Sequence, residues 1–392
     1  MTFRAAYFIS FAVAVCAGIE IGNAAEKPHV IEKVGVYDVD GKFGGWPANH
    51  GMWIWDNEIL VGFSIGEYKD LGIRHNIDRD KPEHHVLARS LDGGHSWKLE
   101  YPYEQHVLVG PKGKKGFRHG TFPEGQWEPE PVECPGGIDF THPDFAMTLR
   151  MEDVNGGQSR FYYSYDRGHT WKGPFRLPSI GQKGIAARTD MVVNGKHDCF
   201  VFLTASKSDG EEGKIICART TDGGKTFEFV SNVGPEPKGY FIMPSTVRIS
   251  PTELLCTIRC KSGPDEKFRS WIEAWRSKDN CKTWVFDQEL AECGEGNPPA
   301  IIKLQDGRLC MTYGHRKAPY EMRAILSSDN GKTWSEPFVI EGEGGGRDMG
   351  YPRMVQRPDG NIVTTYYFYD KTDPDRKINA TIWNPGTATP AK

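Results

Sequence analysis

Tyr351 and Arg353 stand on either side of Pro352, and Arg188 and Asp190 repeat the same two-residue spacing. Residues two apart on a strand share a face, so each pair can serve one site. The types suit an anion: guanidinium groups hold a carboxylate or sulfate by paired hydrogen bonds, a phenol attacks or donates a proton, and a carboxylate accepts a proton or positions a hydroxyl. More polar residues lie in short clusters: Trp46-Pro47-Ala48-Asn49-His50, Asp139-Phe140-Thr141-His142-Pro143-Asp144, Met243-Pro244-Ser245, Glu295-Gly296-Asn297-Pro298 and Asp348-Met349-Gly350-Tyr351-Pro352-Arg353. A further segment, His75 through His85, holds Asp78, Arg79, Asp80, His84 and His85. From these we take Tyr351, Asp190, His85 and Asp80 as candidates for the chemistry. Arg188, Arg316, Arg353, His50, His142, Asn297 and Trp46 are candidates for binding. The alternative for each is a salt bridge or cap that only stiffens a rim.

These clusters need a scaffold that gathers distant segments at one place, and an internal repeat supplies it. The pattern Ser/Thr-x-Asp-x-Gly-x-Thr/Ser-aromatic recurs five times, beginning at Ser90, Ser164, Thr220, Ser277 and Ser327. Each copy reads as a hairpin turn: the Asp accepts backbone N–H groups, the Gly takes a positive φ, and the closing Trp or Phe packs against the sheet. In the fourth copy Cys281 replaces the Gly, so that turn is expected to be strained or differently shaped. The Asp residues of these boxes are structural in this reading.

A second register has the same period. Pro244, Pro298 and Pro352 are 54 residues apart, and Asp190 lies 54 before Pro244. Each proline begins an apolar stretch that runs into a turn and a second β-rich stretch; in complete copies a third ends in the Asp box and a fourth follows. That is a four-stranded antiparallel blade. The fold class is therefore all-β: a six-bladed β-propeller with inner strands starting near Pro47, Pro143, Asp190, Pro244, Pro298 and Pro352. The sixth unit lacks an Asp box, and Val30–Val39 is expected to supply the strand that closes the ring and protects its edges. Residues 105–137, rich in Gly, Pro and charge, read as an insertion over one face, a lid or a plain surface loop. A propeller gathers the starts of its inner strands at one mouth of its channel, where the polar clusters converge.

Composition narrows the setting. A formal net charge of -4 gives no basic surface for nucleic acid. Arg4, an apolar run over Ala5–Ile19 and small residues at Gly22–Ala25 describe a cleavable signal peptide over residues 1–25. Residues 26–392 then form one domain, with no later stretch of membrane length, and localisation is secreted or periplasmic. Eight of the nine cysteines follow the signal segment; none forms a CxxC pair, so no zinc site is expected. Nothing calls for a cofactor. Cys256 and Cys260, four apart on one strand, are too distant for a direct bridge.

With its Asp boxes and blade count, the mature chain resembles the sialidase (BNR-repeat) superfamily. The resemblance implies a Tyr nucleophile in the last blade, arginines that hold the carboxylate of sialic acid, a Glu that activates the Tyr and an Asp as acid/base. Tyr351 sits where that Tyr would be and Arg316 where the second Arg would be; Arg323 fits the third less well. The sequence also departs from the pattern. Gly44-Gly45-Trp46-Pro47 stands where sialidases have Arg-Ile-Pro, only Glu295 lies near the expected Glu, and Asp78, Asp80, His84 and His85 occupy the neighbourhood of the acid/base Asp. The resemblance therefore implies a relative of sialidases whose partner is a glycan or polysaccharide: a glycoside hydrolase acting on a terminal acidic sugar. The alternatives are a polysaccharide lyase acting next to a uronate carboxylate, or a glycan-binding propeller without chemistry.

Overall fold

A computed structural model describes Met1 and residues 26–72, 75–109, 129–294 and 296–387. It is nearly all β, with six antiparallel sheets in ring order. Blade 1 comprises Lys42–Gly45 and Met52–Trp55, both paired with Glu58–Glu67, then His84–Ser90 and Lys98–Glu100. Blade 2 comprises Ala146–Arg150, Arg160–Ser164 and Lys172–Arg176; blade 3 comprises Ile185–Ala186 and Met191–Gly195 against Asp198–Ser206, then Glu212–Thr220 and Glu228–Asn232. Blades 4 and 5 run Tyr240–Arg248, Leu254–Lys261, Ser270–Ser277, Val285–Glu292 and Ala300–Lys303, Leu309–His315, Glu321–Ser327, Phe338–Glu341. Blade 6 is Gly350–Gln356, Ile362–Phe368, Lys377–Asn384 and, at its outer edge, His29–Tyr37. The N-terminal strand thus closes the ring, antiparallel, with Val30 opposite Trp383 and Tyr37 opposite Ile378.

Second strands are buried along almost their whole length, as in Leu254–Lys261 and Ile362–Phe368, because a neighbouring blade covers each face. Outer strands such as Glu228–Asn232 stay largely exposed. This is why inner segments read as continuous apolar runs rather than as alternating ones.

The five Asp boxes are near copies of one another. The first Ser/Thr hydroxyl accepts the N–H four residues on at 2.7–2.9 Å. The Asp accepts the next Ser/Thr N–H at 2.9–3.0 Å and its hydroxyl at 2.6–2.7 Å. Cys281 adopts φ 67 and makes the same bonds as the glycines. The fourth turn therefore keeps its shape, and a non-glycine residue sits in the left-handed region.

Blade 2 differs from expectation. Pro143 leads into Ala146–Arg150, whose partner Arg160–Ser164 enters the Asp box, so this is a second strand and not an inner one. The inner edge is covered from blades 1 and 3: Thr148 Oγ1 donates to His50 O at 2.8 Å and Leu149 N–H donates to Thr189 Oγ1 at 3.1 Å. Of the insertion, Val132 runs parallel beside Phe175 at the outer edge of blade 2, while residues 110–128 lie outside the described residues, as does the signal-peptide segment over residues 2–25. No helix among the described residues is long and apolar enough to cross a membrane. All eight described cysteines are buried.

Candidate functional site

The recurring proline marks where inner strands break. It has no N–H for the ladder, and the register shifts across Ile242/Ser245 and Gly350/Arg353. In blade 1 a one-turn helix, Pro47–His50, interrupts the strand. The residue before each of these prolines takes a left-handed backbone: Trp46 φ 62, Met243 φ 55, Tyr351 φ 50. Such conformations cost on the order of 1–3 kcal/mol each and persist only where the surroundings impose them. All three side chains are buried in one apolar cluster, so the repeated break brings them together in one place.

Tyr351 is ringed by cations. Arg259 Nη1 donates to its hydroxyl at 3.0 Å, and the Arg316 guanidinium lies 5.3 Å from its ring centroid. Burial alone would push this phenol up; the charges of Arg259, Arg316 and Arg188 outweigh it and hold the phenol below the usual tyrosine value. The three arginines are not equivalent. Arg316 is spent on Met349 O, Gly296 O and the Tyr367 hydroxyl at 2.8, 3.1 and 2.8 Å. Arg188 reaches Asn49 Oδ1, Ala186 O and Glu212 Oε2, each at 3.3 Å. Arg259 is buried, and its Nε has no hydrogen-bond partner among the described residues. It is the guanidinium with capacity left for an anion.

Beside Tyr351 lies a histidine–carboxylate pair. Asp348 Oδ1 accepts from His75 Nδ1 at 2.7 Å and from the Tyr367 hydroxyl at 2.8 Å; Oδ2 accepts from Asn76 N–H at 3.0 Å and Arg376 Nε at 3.1 Å. Burial works against the Asp348 carboxylate, but His75 and Arg376 hold it well below its ordinary range. The His75 ring meets Tyr351 edge-on, centroids 5.9 Å apart. Burial, assisted by Arg316 and Arg79, lowers the His75 pKa despite Asp348. A neutral ring that gives its Nδ1 proton to Asp348 keeps an acceptor at Nε2.

A second polar group lies between blades 1 and 2. Arg150 Nη1 donates to His50 Nδ1 at 2.5 Å and to His85 Nδ1 at 3.0 Å. A guanidinium can only donate, so both rings accept at Nδ1 and carry their proton at Nε2. Glu83, buried to 1 % exposure, stands 3.5 Å from Arg79 and 3.9 Å from His85. Burial pushes its carboxyl up to about 7, Arg79 and Ser64 notwithstanding. Arg79 in turn lies 5.3 Å over the Trp46 ring, which meets His75 edge-on at 5.1 Å. Aromatic contacts thus link the two polar groups. A separate rim cleft of about 270 Å³, lined by Glu152, Gln158 and Lys183, includes no residue of the Tyr351 group. Among the described residues, no three His, Cys, Asp or Glu are placed to hold a metal ion.

A family model described as BNR repeat-like domain matches residues 145–364. The chain belongs to this BNR repeat-like family. No curated protein sequence matches it. Among solved structures, the BNR repeat-like chain is similar to a Dyadobacter fermentans protein of unknown function, at 20 % identity and TM-score 0.65 over 91 % of this chain and 99 % of that one. It is similar to a Penicillium chrysogenum α-L-arabinanase complexed with arabinobiose, at 12 % identity and TM-score 0.57 over 91 % and 98 %. It is also similar to a Trypanosoma rangeli sialidase in complex with sialic acid, at 10 % identity and TM-score 0.54 over 90 % and 58 %. The fold is the sialidase-like six-bladed propeller.

Within the BNR repeat-like propeller, the residues expected at the site fall into separate places. Tyr351, Arg188 and Arg316 lie together. Arg353 and Asp190 form another level: the Arg353 guanidinium donates to Ala48 O at 2.6 Å and to Thr189 O, and Asp190 accepts from the Thr246 hydroxyl at 2.9 Å. The bulge at Pro352 separates Tyr351 from Arg353, so alternation does not hold there. His85 belongs to the Arg150 group. Four binding candidates are corrected. Trp46 is 1 % exposed, a wall rather than a platform for sugar. His50 is 2 % exposed and bound to Arg150 and Ser64. Asn297 is fully buried, with both ends of its amide on backbone. His142 stacks with Tyr165 next to an Asp box, on the opposite face of the ring. Asp80, a candidate for the chemistry, points into solvent, 84 % exposed and paired with Lys69. Arg323 pairs with Glu321, and Glu295 lies outside the described residues. Sequence reasoning missed Arg259, Glu83, Tyr240 and Tyr367. Arg259 lies two residues before the end of one second strand and Arg316 one residue past the end of another, so the two arginines stand near corresponding strand ends.

Proposed function

We propose that this chain is an exported glycoside hydrolase acting on a terminal acidic sugar of a glycan or polysaccharide. The observation that carries it is Tyr351: a buried phenol held below its usual pKa and hydrogen-bonded to Arg259, a guanidinium with donor capacity left. Arg259 receives the sugar's anionic group, with Arg188 and Arg316 adding positive potential. The Tyr351 oxygen attacks the anomeric carbon as the bond to the departing oxygen breaks, and its proton passes to His75, oriented by Asp348. Glu83, which holds a proton up to about pH 7, gives that proton to the departing oxygen. Water then attacks the anomeric carbon as its bond to the Tyr351 oxygen breaks; Glu83 takes the water's proton, His75 returns its own to the phenol, and the sugar is released. That the neighbours of similar fold include a sialidase and an arabinanase supports carbohydrate as the substrate class.

The His75–Asp348 pair favours one second reading, a lyase. His75 Nε2 would take the proton next to a uronate carboxylate held by Arg259, Tyr351 would protonate the departing oxygen, and the sugar would keep a new carbon–carbon double bond. A panel of aryl glycosides and polysaccharides carrying sialic acid, uronate or sulfate decides between them. Release of a reducing sugar without new ultraviolet absorbance is expected. Absorbance of an unsaturated product would establish the lyase, and no turnover on any acidic sugar would overturn the enzyme reading.

A further inference from the structure

Tyr351 lies at the bottom of a track that leads out over blade 4. Arg259 and Lys261 are two residues apart on the strand Leu254–Lys261 and so share a face. Tyr240, at the start of the inner strand, is the register partner of Lys261. Its ring lies 5.6 Å from the Arg259 guanidinium and 5.6 Å from Lys261 Nζ. Lys261 Nζ is also 5.6 Å from the ring of Phe268, which is 52 % exposed on the loop that follows. The order from depth to rim is Tyr351, Arg259, Tyr240, Lys261, Phe268, alternating aromatic rings with cations.

Lys261 has no carboxylate partner among the described residues. Two nearby cations do: Arg269 pairs with Glu289, and Lys214 with Glu236. A large exposed aromatic beside an unpaired ammonium is poor surface for water and good surface for a sugar that carries charge. The C–H face of a pyranose packs on the ring, and a carboxylate or sulfate meets the lysine.

We propose that Tyr240, Lys261 and Phe268 form a second subsite, which binds the next residue of an acidic glycan beyond the sugar held at Arg259 and Tyr351. Phe268 stacks on the sugar ring and Lys261 takes its carboxylate or sulfate. The proposal rests on the glycan reading of the pocket but not on which reaction occurs there.

The test is binding by the full chain to immobilised sialylated, uronate-containing and sulfated oligosaccharides, beside their neutral counterparts and the matching acidic monosaccharides. The expected result is retention on acidic chains in preference to neutral ones. Lys261→Ala and Phe268→Ala each weaken that binding by about tenfold, Lys261→Arg restores it, and affinity for the monosaccharide is unchanged. Tyr351→Phe keeps the binding and removes turnover; chain binding without any turnover in the parent would defeat the enzyme reading and leave the subsite standing. Equal retention of acidic and neutral glycans, no retention at all, or variants that bind chains as the parent does would overturn the proposal. Equal losses for chain and monosaccharide would overturn it too, since Lys261 and Phe268 would then belong to the first sugar's site.

Discussion

Asn297 holds the backbone of Tyr351 from the neighbouring blade. Its Oδ1 accepts the Tyr351 N–H at 2.9 Å and its Nδ2 donates to Met349 O at 2.8 Å. The amide fits because Gly350 has no side chain: a Cβ there would lie 2.1 Å from Asn297 Nδ2. The left-handed turn that aims Tyr351 is thus stabilised by a residue 54 positions earlier.

Asn297→Ala removes both bonds and leaves two backbone groups unsatisfied. Stability should fall by roughly 1–3 kcal/mol, read in a denaturant melt. The rate should fall as well, because Tyr351 is no longer held. A variant that loses stability but keeps full activity would show that the turn is maintained without Asn297.

Tyr351→Phe deletes one hydroxyl from a buried ring that keeps its packing. The melting temperature should hardly move, while the rate on an acidic glycoside drops about a hundredfold or more. Full activity in the folded variant would exclude Tyr351 from the chemistry.

Arg259→Met keeps much of the side chain's length and removes its charge. The Tyr351 phenol should titrate at higher pH, read by ultraviolet difference titration against Tyr351→Phe, because the largest charge that opposes burial is gone. Affinity for acidic sugars should fall while that for neutral ones does not. An unmoved phenol would mean that Arg316 and Arg188 suffice.

Burial pushes the Glu83 carboxyl from 4.5 up to about 7, and that of Asp190 from 3.8 up to about 7. The folded state therefore binds more protons than the unfolded chain between about pH 4 and 7. A raised pKa contributes stability that is present below the unfolded value and lost as pH rises through the folded one. Thermal melts across pH 4–8 should show stability declining through this window, and Glu83→Gln should flatten the slope. The same substitution should also remove activity near neutrality. An unchanged slope would place the Glu83 proton release elsewhere on the pH scale.

Asp222→Ala removes the acceptor of the Thr226 N–H and hydroxyl. It should cost about 1–3 kcal/mol of stability with activity per folded molecule unchanged, since the Asp boxes lie on the face opposite Tyr351. Loss of activity at constant melting temperature would reverse this.

The repeat was legible in the sequence because its physics is local. An Asp box closes within eight residues on its own hydroxyls and N–H groups, and the 54-residue spacing copies one blade into the next. Six blades followed from that, as did closure by the N-terminal strand, expected over Val30–Val39 and found at His29–Tyr37. Tyr351, Arg188 and Arg316 were legible as residues at strand ends facing one channel mouth. What the repeat could not show is where each side chain spends its hydrogen bonds. Asn297, Trp46 and His50 have the types of binding residues, but in the folded protein their polar atoms lie against backbone and neighbouring side chains. Arg259 lies near the end of its second strand, and only the folded contacts show that its Nε is left without a partner among the described residues. Glu83 looked like any loop carboxylate until the packing of blade 1 excluded water from it. Three-stranded blade 2 has the same cause: whether Pro143 opens an inner strand depends on what fills the channel beside it, and His50 and Thr189 already do. Local hydrogen bonding determined the scaffold from the sequence alone. Burial and competition among donors, which exist only once the ring closes, decided the site.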